Sequence, residues 1–205
     1  MQQYGWHPHY DNFPVVNITY ESAVKFCEWL TEKYNNSTDK KYKKVQFKLP
    51  TEKEWELAAR GGRIGNTYPW GGPYFLNSKG CYLCNFSPLE EVYLNKLRFK
   101  KDTKFDSTYL YLTVDDYYNY TDGDSTISRG VDGAIYPCAI DCYFPNDFGL
   151  WNCAGNVSEM IATKGICKGG SWTYSQQYIQ IEAKENYTAS NVNLGFRFFM
   201  QVLEK

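Results

Sequence analysis

Asn146-Asp147-Phe148-Gly149-Leu150-Trp151-Asn152-Cys153-Ala154-Gly155-Asn156-Val157-Ser158-Glu159-Met160 is the most informative stretch of the chain. Asn152 and Glu159 bracket a glycine-containing turn that can direct its own carbonyls inward. A hard cation such as Ca²⁺ takes about six to eight oxygens from carboxylates, side-chain amides and backbone carbonyls. Asn and Gly also build ordinary turns, so the stretch alone leaves a cation site and a structural turn both open.

Upstream of this stretch the pattern is helical in two places. Ala23, Phe26, Cys27 and Leu30 recur at helical spacing and predict a helix from about Tyr20 to Tyr34, capped by Thr19. Leu49-Pro50 precedes a second helix in which Thr51 and Glu54 form a capping box. Trp55, Ala58 and Ala59 supply its buried stripe and Gly61-Gly62 its end. From Gly62 onward the chain breaks into short aromatic segments separated by Gly, Pro, Asn and Asp. The charged, tyrosine-rich stretch from Glu90 to Tyr120 reads as part of an insertion at about 88–125. Ile166 to Trp172 and Leu194 to Val202 read as strands. Two early helices before a long irregular half predict one α+β domain over 1–205.

Composition narrows the function classes. With 205 residues, 22 Lys+Arg against 23 Asp+Glu and a net charge of -1, the chain has no basic excess to clamp nucleic acid. An aromatic content of 18% excludes a disordered chain. No apolar run approaches the roughly 18 residues of a membrane span. The first residues carry no basic segment followed by an apolar one, so no signal peptide is visible. Seven cysteines leave at least one thiol unpaired, and Cys27 in its helical stripe is the natural candidate. Cys81-x-x-Cys84 and Cys138-x-x-x-Cys142 admit a four-thiolate zinc site, one or two disulfides, or buried thiols. Asn-x-Ser/Thr triplets at Asn17, Asn35, Asn36, Asn85, Asn119, Asn156 and Asn186 read as chance matches in an Asn-rich chain.

Six blocks then occur in a familiar order: Phe13-Pro-Val-Val, Leu49-Pro-Thr-Glu-x-Glu-Trp-Glu-x-Ala-Ala-Arg-Gly-Gly, Tyr68-Pro-Trp-Gly, Asn146 to Glu159, Gly169-Gly-Ser-Trp and Gly195-Phe-Arg. The chain thereby resembles the formylglycine-generating-enzyme (sulfatase-modifying factor) family. His7-Pro-His-Tyr-Asp-Asn-Phe-Pro, Cys84-Asn-Phe-Ser-Pro, Phe144-Pro-Asn-Asp-Phe-Gly-Leu and Lys168-Gly-Gly-Ser-Trp look most like gliding-motility and type IX secretion lipoproteins of the GldK/PorK and GldJ type. The resemblance implies a C-type-lectin-like fold with two helices, short strands and much irregular structure. The family's opening Gly-Gly-x-Phe-x-Met-Gly is missing, which reads as a fragment or a truncated paralogue.

The resemblance also implies two calcium sites. One would use the Asn152 side chain, the Gly155 and Val157 carbonyls and Glu159. The other would use Asn85, the Phe86 carbonyl, Asp132 and the Ala134 carbonyl. Family enzymes oxidise a substrate cysteine with O₂ and a copper ion on two thiolates, three and eight residues after the Ser of Gly-Gly-Ser. Counted from Ser171 these positions are Tyr174 and Ile179, and a tryptophan beside the family's site corresponds to Ser158. Copper is therefore not expected, since Cu(I) prefers soft thiolates. Ser171 becomes a structural hydroxyl and Arg197 a buried network arginine. His7 and His9, near one end, read as part of a Pro- and aromatic-rich loop.

The expected function is a non-catalytic interaction component of a cell-envelope assembly. It would be stabilised by calcium, periplasmic or secreted, with protein partners and the option of homo- or hetero-oligomers. Two other readings stand beside it: an oxidase or oxygenase with a non-standard metal centre, and a lectin-like module binding ligands through the Glu90–Tyr120 surface.

Overall fold

A computed structural model describes Tyr4, residues 7–87 and residues 136–205. The insertion at 88–125, the Glu90–Tyr120 surface, Asn119, Asp132 and Ala134 lie outside the described residues.

Helix α1, Tyr20–Asn35, starts at Thr19, whose hydroxyl accepts from the Ser22 N–H. Ala23 and Cys27 are buried as the spacing predicts. Phe26 is not: it is 38% exposed and lies against Phe196, Phe198 and Trp29 in an aromatic cluster at the surface. The turn of the helix puts Val24 against the core instead. Helix α2, Glu52–Arg60, has both halves of its capping box, with Thr51 Oγ1 accepting from the Glu54 N–H and Glu54 Oε2 accepting from the Thr51 N–H. It ends at Gly61 with φ +60°, a left-handed cap open to glycine. Trp55 and Ala59 form its buried stripe, while Ala58 is only half-buried.

The strands are short. β1 (Lys44–Lys48) pairs antiparallel with β6 (Phe199–Glu204). The other edge of β1 is closed by α1 side chains rather than a strand. Asn35 accepts from the Val45 N–H and donates to its carbonyl, and Thr31 accepts from the Phe47 N–H. Such pairing hides an edge that would otherwise invite another strand. β2 (Ser158–Met160), β3 (Ile166–Lys168), β4 (Lys184–Asn186) and β5 (Leu194–Phe196) form a sheet in the order β4-β3-β2-β5, with β2 and β5 parallel and the other pairs antiparallel. The two segments read from sequence as longer strands are interrupted. Gly169 and Gly170 both have positive φ and stop β3, and residues 197–198 separate β5 from β6.

Three apolar clusters hold these pieces. Ala23, Cys27, Leu49, Met160, Cys167 and Leu194 join α1 to the four-stranded sheet. Trp55, Ala59, Cys153, Ile161 and Ile181 seat α2. Tyr68, Cys84, Phe86, Ala154 and Ile179 pack the irregular part. No helix among the described residues is long and apolar enough to cross a membrane.

Candidate functional site

The 146–160 stretch folds as a series of turns into β2. Asn146 shapes its start, accepting from the Phe148 and Leu150 N–H groups and donating to the Ala58 and Ala59 carbonyls at the end of α2. Asn152 and Asn156 both hold positive φ, a region Asn tolerates better than most residues. Asn156 clamps the backbone of Cys138 with both ends of its amide. Buried Asn85 and Asn156 are closed to any modifying enzyme, so those two triplets are chance matches.

Glu159 is 5% exposed and is the counter-charge of Arg197. Arg197 Nε donates to both carboxylate oxygens at 3.0 and 3.1 Å, and Nη2 donates to Oε1 at 2.7 Å. Trp55 Nε1 donates to Oε2 at 2.7 Å. Nη2 of Arg197 also reaches the Trp151 carbonyl at 2.8 Å, which ties the pair to the start of the turn. The facing carboxylate holds the Arg197 guanidinium well above its ordinary pKa. Arg197 is thus the network arginine expected, and Glu159 spends its charge on it.

The asparagines assigned to calcium by resemblance behave differently. Asn152 donates to the Ile140 carbonyl at 3.0 Å and the Ala139 carbonyl at 3.3 Å, yet its Oδ1 is buried without a hydrogen-bond partner. Asn85 is fully buried and donates to the Tyr136 carbonyl at 2.9 Å, and its Oδ1 is likewise buried and unpartnered. The two turns touch. Asn156 N–H donates to the Asn85 carbonyl at 2.7 Å, and a Cβ at Gly155 would fall 2.1 Å from that same oxygen. Gly155 is therefore required for a close backbone approach as well as for its φ of +71°. Buried acceptor oxygens without donors are costly unless something supplies positive charge. Two amide oxygens among buried backbone suit a hard cation, with Gly155, Val157 and Phe86 in the same buried turns.

The region following Gly169-Gly170 carries the other expectation. Ser171 is fully buried, its Oγ accepting from the Thr173 N–H and lying 3.0 Å from Thr173 Oγ1, a structural turn as read from sequence. Ile179 is fully buried in the cluster with Tyr68, Cys84, Phe86 and Ala154. Tyr174 opens onto a cleft of about 270 Å³ that sequence reasoning did not find. Ser158, Cys167, Tyr187, Asn193 and Leu194 complete much of its wall. Behind Tyr174 and Cys167 lies Glu185, 9% exposed, its pKa pushed by burial up to about 7. Burial likewise pushes the Cys167 thiol up to about 12, with Glu185 adding to the rise and the Ser158 hydroxyl opposing it. A thiol so protonated is a poor nucleophile and a poor metal ligand. Tyr174 is held above its ordinary pKa by the same burial and by Glu185.

Cys27, Cys81, Cys138, Cys142, Cys153 and Cys167 are thiols in this structure, and Cys84 sits inside the Tyr68 cluster. Among the described residues no three His, Cys, Asp or Glu side chains gather closely enough to hold a metal. Cys138 and Cys142 are near neighbours, and burial with Cys142 beside it drives the Cys138 thiol strongly upward. His7 and His9 lie exposed at a 3₁₀ turn, Pro8–Tyr10, where His7 Nδ1 accepts from the His9 N–H.

Known proteins share this architecture. The chain is 26% identical over 214 residues to a formylglycine-generating enzyme of Streptomyces coelicolor, covering 91% of the chain and 52% of the relative. It is 26% identical over 169 residues to the Inactive C-alpha-formylglycine-generating enzyme 2 of Bos taurus, covering 78% and 38%. The chain spans about half the length, or less, of these curated relatives. Its fold is similar to Treponema denticola variable protein 1, with TM-score 0.57 and 19% identity over 94% of this chain and 72% of the other. PvdO from Pseudomonas aeruginosa is similar at TM-score 0.56 and 16% identity, covering 94% and 63%. The sulfatase-modifying factor enzyme 1-like domain matches residues 3–202, and the motifs, the two capped helices and the sparse sheets agree with it: the chain belongs to the formylglycine-generating-enzyme (sulfatase-modifying factor) family.

Proposed function

We propose that this chain is a non-catalytic member of its family, in which the former reaction pocket serves binding and calcium braces the loops. The carrying observation is Ile179. The position where the family's second copper thiolate is expected holds an isoleucine locked in the core, and the first holds Tyr174. Cys167 remains in the cleft as a single buried thiol, and one protonated sulfur does not replace a thiolate pair for Cu(I). That a relative is named as an inactive formylglycine-generating enzyme is in keeping with this reading. The chain would act as an interaction component of a cell-envelope assembly, periplasmic or secreted, like the gliding-motility and type IX secretion lipoproteins it resembles.

Calcium, when bound, would neutralise the two stranded amide oxygens and fix backbone that has neither helix nor sheet to fix it. In the first site Asn152 Oδ1 would serve with the Gly155 and Val157 carbonyls, and Glu159 would contribute only what its pairing with Arg197 leaves over. Asn85 and the Phe86 carbonyl would serve in the second. The test is elemental analysis of the purified chain, beside turnover of a cysteine peptide with O₂ after loading with Cu(I). The expected result is calcium without copper and no oxidised peptide. Stoichiometric copper or iron with turnover would overturn the non-catalytic reading in favour of a family oxidase with an unusual centre.

A further inference from the structure

The 138–142 turn brings two thiols together on a backbone held by several hydrogen bonds. Cys142 N–H donates to the Ala139 carbonyl at 3.1 Å, which folds Cys142 back toward Cys138. Asn156 accepts from the Cys138 N–H at 2.9 Å and donates to its carbonyl at 3.1 Å. Ile140 N–H donates to the Asn12 carbonyl at 2.8 Å, and the Asn152 amide donates to the Ala139 and Ile140 carbonyls. Within this frame the Cys138 thiol lies in hydrogen-bonding reach of the Cys142 thiol and of the Asn85 amide. Both cysteines are only half-buried, so a reagent in solution can reach the pair.

The other cysteines are placed differently. Cys27 and Cys167 are buried in the first apolar cluster, Cys153 in the second and Cys84 in the third. Cys81 is exposed on the turn that starts at Asn77. A disulfide forms without strain only where the backbone already holds two cysteines close and facing. We propose that Cys138 and Cys142 are a redox site, joined as a disulfide by exchange with a small-molecule or protein disulfide. One cysteine attacks the oxidant and forms a mixed disulfide, and its neighbour then displaces the oxidant's remaining sulfur. Two S–H bonds are lost from the chain and one Sγ–Sγ bond forms. The two electrons go to the oxidant's S–S bond, which leaves as two thiols carrying the two protons.

The surroundings of Cys138 favour the bond once it is made. Burial, and then the neighbouring Cys142, disfavour a thiolate there. A disulfide carries no charge, so burial does not penalise it, and a reduced form that gains nothing as thiolate resists reduction less expensively reversed than in a catalytic pair. The bond is therefore a lasting tie and not a rapidly cycling one. It pins the turn whose carbonyls Asn152 holds, in a part of the chain with neither helix nor strand. This goes beyond the non-catalytic reading and depends on neither copper nor calcium.

The test is equilibration of the full chain with mixtures of reduced and oxidised glutathione, followed by acid quenching, alkylation under denaturant and mass spectrometry. The expected result is that Cys138 and Cys142 escape alkylation together, in one two-electron transition, on a peptide two hydrogens lighter. The oxidised chain should melt several degrees above the reduced one. Cys138→Ser and Cys142→Ser should each abolish that rise, and in each variant the remaining cysteine should keep glutathione as a mixed disulfide. Alkylation of both thiols after full oxidation, separate glutathione adducts on each, or pairing of either with another cysteine would overturn the proposal. Such a failure leaves the copper and turnover measurements untouched, so the two readings stand or fall separately.

Discussion

Trp55 on α2 donates its indole N–H to Glu159 on β2 at 2.7 Å, joining two elements 104 residues apart. The ring fills the second core cluster, and the Lys168 ammonium lies 5.7 Å from its centroid. Trp55→Ala should cost about 3–5 kcal/mol through the cavity and the lost bond together. Trp55→Phe, which keeps much of the ring and loses the donor, should cost about 1–3 kcal/mol. Urea denaturation of both separates the two contributions.

The pair of Glu159 and Arg197 sets a second expectation. Glu159→Gln leaves the guanidinium half-buried without its counter-charge, which should cost about 3–5 kcal/mol. Because the charge serves Arg197, the loss should be present in EDTA as well as in calcium. A loss seen only in calcium would mean that the carboxylate works chiefly through the ion.

Calcium itself is read better at the asparagines. Thermal melts in calcium should lie several degrees above melts in EDTA, through selective binding to the folded state. Asn152→Ala removes one stranded oxygen and should shrink that difference, and Asn85→Ala should do the same. An identical melting temperature with and without calcium for the wild type would remove the ion from the account.

Glu185 predicts an unusual pH profile. Its folded pKa, about 7, lies above the ordinary carboxylate value. The folded state therefore holds the proton longer than the unfolded chain, so its stability is full at low pH. That stability is lost as pH climbs from the usual carboxylate range through about 7. Glu185→Gln should be more stable than the wild type at about pH 8, by about 2 kcal/mol, and the gap should close toward about pH 5. Denaturant titrations across that range test the sign.

Gly155 is a steric prediction. A methyl group there would meet the Asn85 carbonyl at 2.1 Å on a backbone with φ +71°, so Gly155→Ala should cost about 3 kcal/mol or more. A variant as stable as the wild type would refute the close approach of the two turns.

The helices were legible in the sequence because their signals are local: a hydroxyl cap, a Glu three residues later, a glycine stop. The capping box of α2 and the bounds of α1 follow from such signals. Phe26 was misplaced because periodicity gives the direction of a side chain but not what covers it. β2 and β4, each of three residues, are too short for an alternating pattern to stand out. The roles of Tyr174 and Ile179 as departures were readable by counting from Ser171, but the cleft was not. It is assembled from β2, β3, the turn carrying Tyr174 and the polar 187–193 loop, whose Asn, Thr and Ser residues look like any surface connection. Glu159 shows the same gap. A carboxylate after a glycine turn suits a cation, and only the fold brings Arg197 and Trp55 to it.

The pairing of β1 with β6 bears on how the chain is made. Val45 finds its partner in Val202, so an early strand waits on the ribosome until nearly the whole domain has been synthesised. Until then its edge and the apolar face of α1 stay open to other nascent chains. Contacts so distant along the chain also make for slow closure. Synthesis in the cell therefore favours chaperone escort until the last strand emerges.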